Sequence, residues 1–451
     1  MLPVETLIAS LGGQMTASNL RLFSQLIAAF FSVRYQITTR SLSRYCDYSS
    51  RQIFRFLKGD HPWLSIRLTL FKTFCYSSGS IYIAAVDEVV EEKSGKRTHG
   101  LYRFYSSTAK KSIPGICFFG LSIIDVASRR AYSIGVEQVV YSEEDKRRNA
   151  DLKNRVEEGK KRARAGIALK KGRKPGVKNK DKSAQTEESA SLRTFKVLWG
   201  NAMKSLSQTL PNIRLSHLVA DSAYGTMQYL QLAQEYGCCL ISKLKSNAAL
   251  YSPYAGEQKK YGAKRFYGER IDLTALDEKH LQSETVEDGE TIKVYQFPAY
   301  SKAMKKILLN VVVILTIRSD GKQAMAILFS NDAALNAETM IEYYSLRFQI
   351  EFEFRDAKQH FGLSDFKNYK KENLTTMVNM SFTMDLISKI LLASYRKDTD
   401  NHNISVLDLK ILFHARFQAQ NVIKLLRKQG HNISYSPWID QYCPIDMINA
   451  A

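Results

Sequence analysis

IYIAAVD, residues 81–87, is an apolar run that stops at an acid. Six residues drawn from Ile, Tyr, Ala and Val predict a strand buried on both faces, and Asp87 then ends it. A carboxylate is expensive inside a core unless something pairs with it. The position of this one therefore matters more than its type.

Working outward, ICFFGLSIID (116–125) and RRAYSIGVEQV (129–139) read as two more strands of an antiparallel meander. SLRTFKVLWGNAMKSLSQTL (191–210) has helical periodicity. IRLSHLVADSAYG (213–225) is a strand that ends in Asp221 and a Gly turn. MQYLQLAQEYG (227–237) is a helix with a Gly stop, and CCLISKLK (238–245) is another strand. The order strand, strand, strand, helix, strand, helix, strand, late helix resembles a ribonuclease H-like core. That implies an α/β fold, a mixed sheet with helices on both faces. In it the strands ending in Asp87 and Asp221 lie side by side.

The flanks complete the expected organisation. Residues 1–76 read as a helical DNA-binding region, 77–245 as the first part of the core with a basic insertion at 146–190, and 246–330 as a β-rich insertion. Residues 331–371 carry the late core helix, and 372–451 form a helical C-terminal region. Within the first region, ITTRSLSRYCDYSSRQIFRFLKG (37–59) holds two short amphipathic segments around a Ser-rich turn. It resembles a helix-turn-helix, which makes Arg51 and Arg55 candidate DNA contacts. A plain helical hairpin with a solvated basic face is the alternative.

Charge narrows the partners. Lys and Arg number 65 against 44 Asp and Glu, a net of +21 over 451 residues. Such a field attracts polyanions, nucleic acid or an anionic membrane. The longest apolar stretch, ILLNVVVILTI (307–317), is too short to span a bilayer, and MLPVETLIAS lacks a signal peptide's basic region. This favours a cytoplasmic, nucleoid-associated protein without a membrane role. Residues 146–182 hold sixteen Lys or Arg and four acids, a net of +12. This segment cannot build a core and is expected to be a mobile, extended arm. Its Lys170, Lys171, Arg173 and Lys174 are candidate phosphate contacts; a solvated linker is the alternative. The six cysteines show no C-x-x-C pair or zinc spacing and read as reduced buried thiols. The eight histidines are scattered and read as structural or exposed.

YYSLRFQIEFEFRDAKQHFGL (343–363) mixes aromatics with both signs of charge on one expected helix. At about 100° per residue, with Tyr344 as origin, Arg347, Glu351, Arg355 and Lys358 fall within about 60°. Glu353 falls on the opposite face and Asp356 about 120° away, facing solvent or pairing with basic neighbours. Ile350, Phe352 and Phe354 are left for packing on flanking faces. Asp87, Asp221 and Glu351 would then converge. Three carboxylates repel unless cations lie between them, and hard oxygen donors suit magnesium or manganese. Two such ions roughly 4 Å apart activate a water or 3′-hydroxyl at a phosphodiester.

The spacing Tyr344, Arg347, Glu351, Lys358 resembles the Y-R-E-K signature of a large group of bacterial insertion-sequence transposases. Asp87 in AAVDEVVEEKSGKRTHG is similar to the group's first-acid motif, and Asp221 in LVADSAYG to its second. The resemblance covers about residues 40–370. It implies a DDE transposase with Asp87, Asp221 and Glu351 as catalytic metal ligands for two Mg2+, with Mn2+ able to substitute. It implies that Tyr344, Arg347 and Lys358 contact phosphates near the transposon end. It also implies cut-and-paste movement by a homodimer on double-stranded DNA, acting on terminal inverted repeats and target DNA. Arg347 and Lys358 can alternatively pair with Glu351 along the helix. Phe348 stands where the group usually has Trp, and Glu88 where a second Asp is frequent, a minor rival for the metal. Trp63, Trp199 and Trp438 all lie outside 246–330, so a base-stacking Trp for hairpin chemistry is missing there. A resolvase or repair nuclease of the same fold, and an inactive DNA-binding derivative, remain as alternatives.

Overall fold

The computed structural model of the protein describes residues 2–106, 109–166, 188–399 and 403–431. Five helices come first: α1 (Val4–Ser10), α2 (Ala17–Ser32), α3 (Thr39–Leu42), α4 (Ser50–Leu57) and α5 (Trp63–Phe74). Four strands follow, β1 (Tyr82–Glu92), β2 (Tyr102–Ser106), β3 (Lys111–Asp125) and β4 (Arg130–Val139). Then come α6 (Glu143–Arg164), α7 (Ala190–Thr209), β5 (Leu215–Ala220), α8 (Met227–Gln234) and β6 (Cys239–Leu244). Six strands fill the next stretch: β7 (Leu250–Pro253), β8 (Tyr267–Arg270), β9 (Leu281–Glu287), β10 (Glu290–Ser301), β11 (Leu308–Ile317) and β12 (Gln323–Ser330). Four helices close the described chain: α9 (Ala337–Leu346), α10 (Phe348–His360), α11 (Lys371–Thr399) and α12 (Val406–Lys428).

All twelve strands belong to one mixed sheet, in the order β2-β3-β1-β5-β6-β12-β11-β10-β7-β8 with β4 on β3 and β9 on β10. β1 is antiparallel to β3 and parallel to β5, and β5 is parallel to β6. β12 then returns antiparallel to β6, so the strands of 246–330 extend the central sheet. The three strands expected at 81–87, 116–125 and 129–139 are β1, β3 and β4, which pair antiparallel in that order, while β2, not recognised in the sequence, adds to the first part of β3.

Helices cover both faces of the sheet. Successive strand residues point to opposite faces. Phe119 of β3 stacks near Phe195 of α7, whereas its neighbour Gly120 faces Phe354 of α10. Gly120 is there for want of a side chain. A Cβ at this position would lie 2.8 Å from the Phe354 ring. The glycine therefore sets how close α10 comes to the sheet, directly opposite Asp87 in register.

The N-terminal helices pack on the rest of the chain. Arg67 of α5 is buried, donating to the Ile134 carbonyl of β4 at 3.1 Å and to Asn379 Oδ1 of α11 at 2.8 Å. Residues from Leu7 through Phe413 share one continuous apolar core. α6 corrects an expectation. Its first turn carries Glu143, Glu144 and Asp145, its last Lys161, Arg162 and Arg164, and Ser142 with Asp145 forms a capping box. Acids at the start and cations at the end suit the helix dipole, so this part of the basic segment is helical and not extended. Lys170, Lys171, Arg173 and Lys174 lie outside the described residues, as do Trp438 and Cys443.

Candidate active site

The parallel pair β1–β5 ends at Val86↔Ala220. Asp87 and Asp221 are the next residues of each chain, so both carboxylates start from the same edge. Asp87 is not a strand-end residue as its sequence suggested. β1 continues to Glu92, paired with β3 throughout. The acid sits instead where the neighbouring strand stops, which opens one side of β1 to a cleft of about 530 Å³ that Glu351 and Lys358 also line.

Glu351 arrives on α10. The expected continuous helix is divided at Arg347, where bonds of the i→i+3 type replace the α pattern (Arg347 N to Tyr344 O, Ile350 N to Arg347 O). Arg347 retains helical dihedrals, so the stripe from Tyr344 to Lys358 persists across the joint. Gly362, at φ +75°, turns the chain after α10 and abuts Ile37, where a Cβ would come within 2.6 Å.

Arg347 is the centre of the arrangement. Its Nη1 donates to Asp87 Oδ2 at 2.9 Å and its Nη2 to Glu351 Oε1 at 2.8 Å. The side chain is only 8% exposed, against 42% for Glu351. A single guanidinium thus bridges two of the three acids, the geometry its planar fork suits. Burial pushes the Asp87 carboxyl up to about 6; the Glu88 backbone N–H at 2.8 Å and Arg347 oppose this, while the charges of Glu351 and Asp221 add to it. Asp87 is thus close enough to both other acids to feel their charge. Asp221 begins a 3-10 turn, and Ser242 of β6 donates to its carbonyl at 3.0 Å.

The remaining stripe residues divide. Tyr344 is half-buried, and its hydroxyl is pushed up by burial against the lowering effect of Arg347. Lys358 is held within the protein, with Nζ 2.8 Å from Glu91 Oε1 and donating to the Val90 carbonyl at 3.1 Å. Glu91 was not recognised in the sequence, although it lies four residues after Asp87 on the same strand face. Glu88 points to the other face, where Cys117 Sγ lies 3.5 Å from its Oε2; that separates it from Glu351. Arg51 and Arg55 are exposed on α4 beside a partly exposed Phe54, while Ile53, Phe56 and Leu57 are buried.

On the far side of α10 the expected pairing with basic residues is present, but Glu353 is buried and not at the surface. Glu353 is 1% exposed. Ser122 of β3 donates to its Oε2, and Lys389 of α11 lies 2.7 Å from its Oε1. Lys389 is also 2.8 Å from Asp385. One lysine faces two buried carboxylates, so burial, reinforced by Glu353 and opposed by Lys389, pushes Asp385 up to about 7. Phe352 is 43% exposed rather than packed, whereas Ile350 and Phe354 are buried. Asp356 pairs with Arg355 at 3.1 Å.

A family model described as "DDE superfamily endonuclease" matches residues 14–299. The match takes in Asp87 and Asp221 and ends before Glu351. No curated protein matches the chain. A solved piggyBac transposase synaptic complex with hairpin DNA aligns over 96% of this chain and 82% of that one, at 14% identity and a TM-score of 0.38, a likeness too low to carry an argument. Among the described residues, no helix is long and apolar enough to cross a membrane.

Proposed function

The chain belongs to the DDE superfamily endonucleases, and from that premise we propose that it is a DNA transposase with a ribonuclease H-like core, cutting and joining transposon ends by metal-dependent phosphoryl transfer. The observation that supports the reading is that Arg347 joins Asp87 to Glu351, with Asp221 starting from the same sheet edge as Asp87.

The donor set fits a divalent cation. Carboxylate oxygens, two of them joined by a single guanidinium, form the hard-ligand environment that magnesium or manganese prefers. Asp87, Asp221 and Glu351 would hold two such ions. Bound there, they would supply activation of a water or 3′-hydroxyl and stabilisation of the leaving oxygen of a phosphodiester. The chain's own residues do the rest. Arg347 fixes Asp87 and Glu351 relative to each other. Lys358, 36% exposed at the cleft wall, exchanges Glu91 for a DNA phosphate. Tyr344, whose ring centre lies 6.0 Å from the Arg347 guanidinium, adds a phosphate contact. Arg51 and Arg55 of α4 and the basic segment 146–182 add sequence-independent phosphate contacts. The partners are double-stranded terminal repeats and target DNA, with a homodimer forming on the DNA.

Incubating the purified protein with its own element ends and Mg2+, then mapping products, tests this. The proposal expects nicks at the element boundary followed by joining of the 3′-hydroxyl to a second duplex. Nicking without any joined product favours a nuclease of the resolvase type and overturns transposition.

A further inference from the structure

Among the described residues, the sheet brings together a group of side chains able to hold a metal, at the opposite end from the carboxylates. His217 of β5 is the register partner of Cys239, the first residue of β6. β12 pairs Ser330 with Ile241, and Asn331 Oδ1 accepts from Leu240 N at 2.7 Å, which delivers Asp332 to the same corner. One ligand atom from each of His217, Cys239 and Asp332 lies within 4.8 Å of the others. Asp221 is four residues further along β5 than His217, about 13 Å at strand rise, so the two groups are separate.

His217 is the informative member. Its side chain is 7% exposed, and Nε2 is buried without a hydrogen-bond partner. Nδ1 is 2.9 Å from Ser216 Oγ. When Nδ1–H donates to that hydroxyl, Nε2 is left as a bare lone pair, the arrangement that prepares a histidine to bind a metal. It points at Asp332 Oδ2 from 3.3 Å. A proton on Nε2 or a metal ion can lie between the two at that distance. The edge of a tetrahedron with legs near 2.0–2.1 Å is also about 3.3 Å, so nitrogen and oxygen already stand where a zinc-type ion would place them. The Tyr343 ring lies edge-on to His217, with centroids 5.4 Å apart, and shields that side. Cys239 is half-buried, which leaves a path for a water at the fourth position.

We propose that His217, Cys239 and Asp332 bind one thiophilic divalent cation of the zinc type, independent of the carboxylate centre. Sulfur and nitrogen donors select against magnesium. Thiolate and carboxylate together balance the ion's two charges, and binding releases the thiol proton. The ion ties β5 and β6 to the segment that returns from the strands of 246–330. It closes the loop containing all of them and anchors that region to the core.

The test titrates the full-length protein with Co2+ in excess Mg2+, which saturates the oxygen ligands. The proposal expects one equivalent of cobalt with the strong visible bands of tetrahedral geometry and a near-ultraviolet thiolate charge-transfer band, both displaced by Zn2+. Cys239→Ser removes the thiolate band, and His217→Gln weakens binding by roughly tenfold or more. Asp332→Asn, at a more exposed position, does the same if either of the others fails to fold. Zinc raises the melting temperature of the parent protein and not of Cys239→Ser. A titration without a thiolate band, a band that survives Cys239→Ser, or unchanged affinity in both His217→Gln and Asp332→Asn overturns the site and leaves a His217–Asp332 ion pair.

Discussion

Glu351 and Glu353 are two residues apart on α10, yet the fold treats them in opposite ways. Glu351 is partly solvated, faces the open edge beside Asp87 and is held by Arg347. Glu353 is fully enclosed between β3 and α11 and is held by Ser122 and Lys389. The same side chain is a candidate for chemistry on one face and a structural pin on the other. The difference lies in what each could do if its partner left. Without Arg347, Glu351 would still reach water, whereas Glu353 without Lys389 would become an uncompensated buried charge.

Substitutions should separate the two faces. Glu351→Gln is expected to lower strand cleavage by roughly 10³-fold or more while the melting temperature stays close to that of the parent. Glu353→Gln should do the reverse, destabilising the fold by about 3–5 kcal/mol because Lys389 loses one of its buried partners. Denaturant titration measures this, and a stable Glu353→Gln protein would remove the pin from the account.

Smaller effects sharpen the comparison. Deleting 146–182 should weaken DNA binding and flatten its salt dependence; an unchanged slope would show that the segment makes no phosphate contacts. Asp385 gives a pH signature on the buried face. Burial pushes its carboxyl up to about 7 in the folded protein, above the ordinary value of about 3.9. A raised folded value gives stability that is full below the unfolded pKa and is lost as pH rises through the folded one. Asp385→Asn should therefore flatten the fall in melting temperature from about pH 4 to about pH 7. A profile parallel to the parent's would place the titration elsewhere. The smallest effect is expected at Arg355, which is over half exposed and paired with Asp356 beside it. Arg355→Ala should change stability by no more than about 0.5 kcal/mol in the same titration.

Much of this was legible in the sequence, for identifiable reasons. Asp87 and Asp221 stand out because each interrupts an apolar run. The wheel separates Glu351 from Glu353 because helical periodicity is a local property. What periodicity cannot supply is the neighbour across space. The pin at Glu353 depends on Lys389, 36 residues later, and on Ser122 in a distant strand. His217, Cys239 and Asp332 are 22 and 93 positions apart and match no metal-ligand spacing, so only the sheet register assembles them. The helix at 143–164 was hidden by its net charge, although Ser142 and Asp145 carry a capping signal. Gly120 gave no sign in ICFFGLSIID that it spaces α10 from Asp87.

The central claim is that Glu351, and not Glu353, completes the cleavage site. The most direct measurement compares Mg2+-dependent nicking of labelled element ends by the parent, Glu351→Gln and Glu353→Gln proteins at a temperature where all three are folded, with DNA binding measured alongside. The account predicts that Glu351→Gln binds the ends and does not nick them, while folded Glu353→Gln still nicks. Nicking at the parent rate by Glu351→Gln would contradict it.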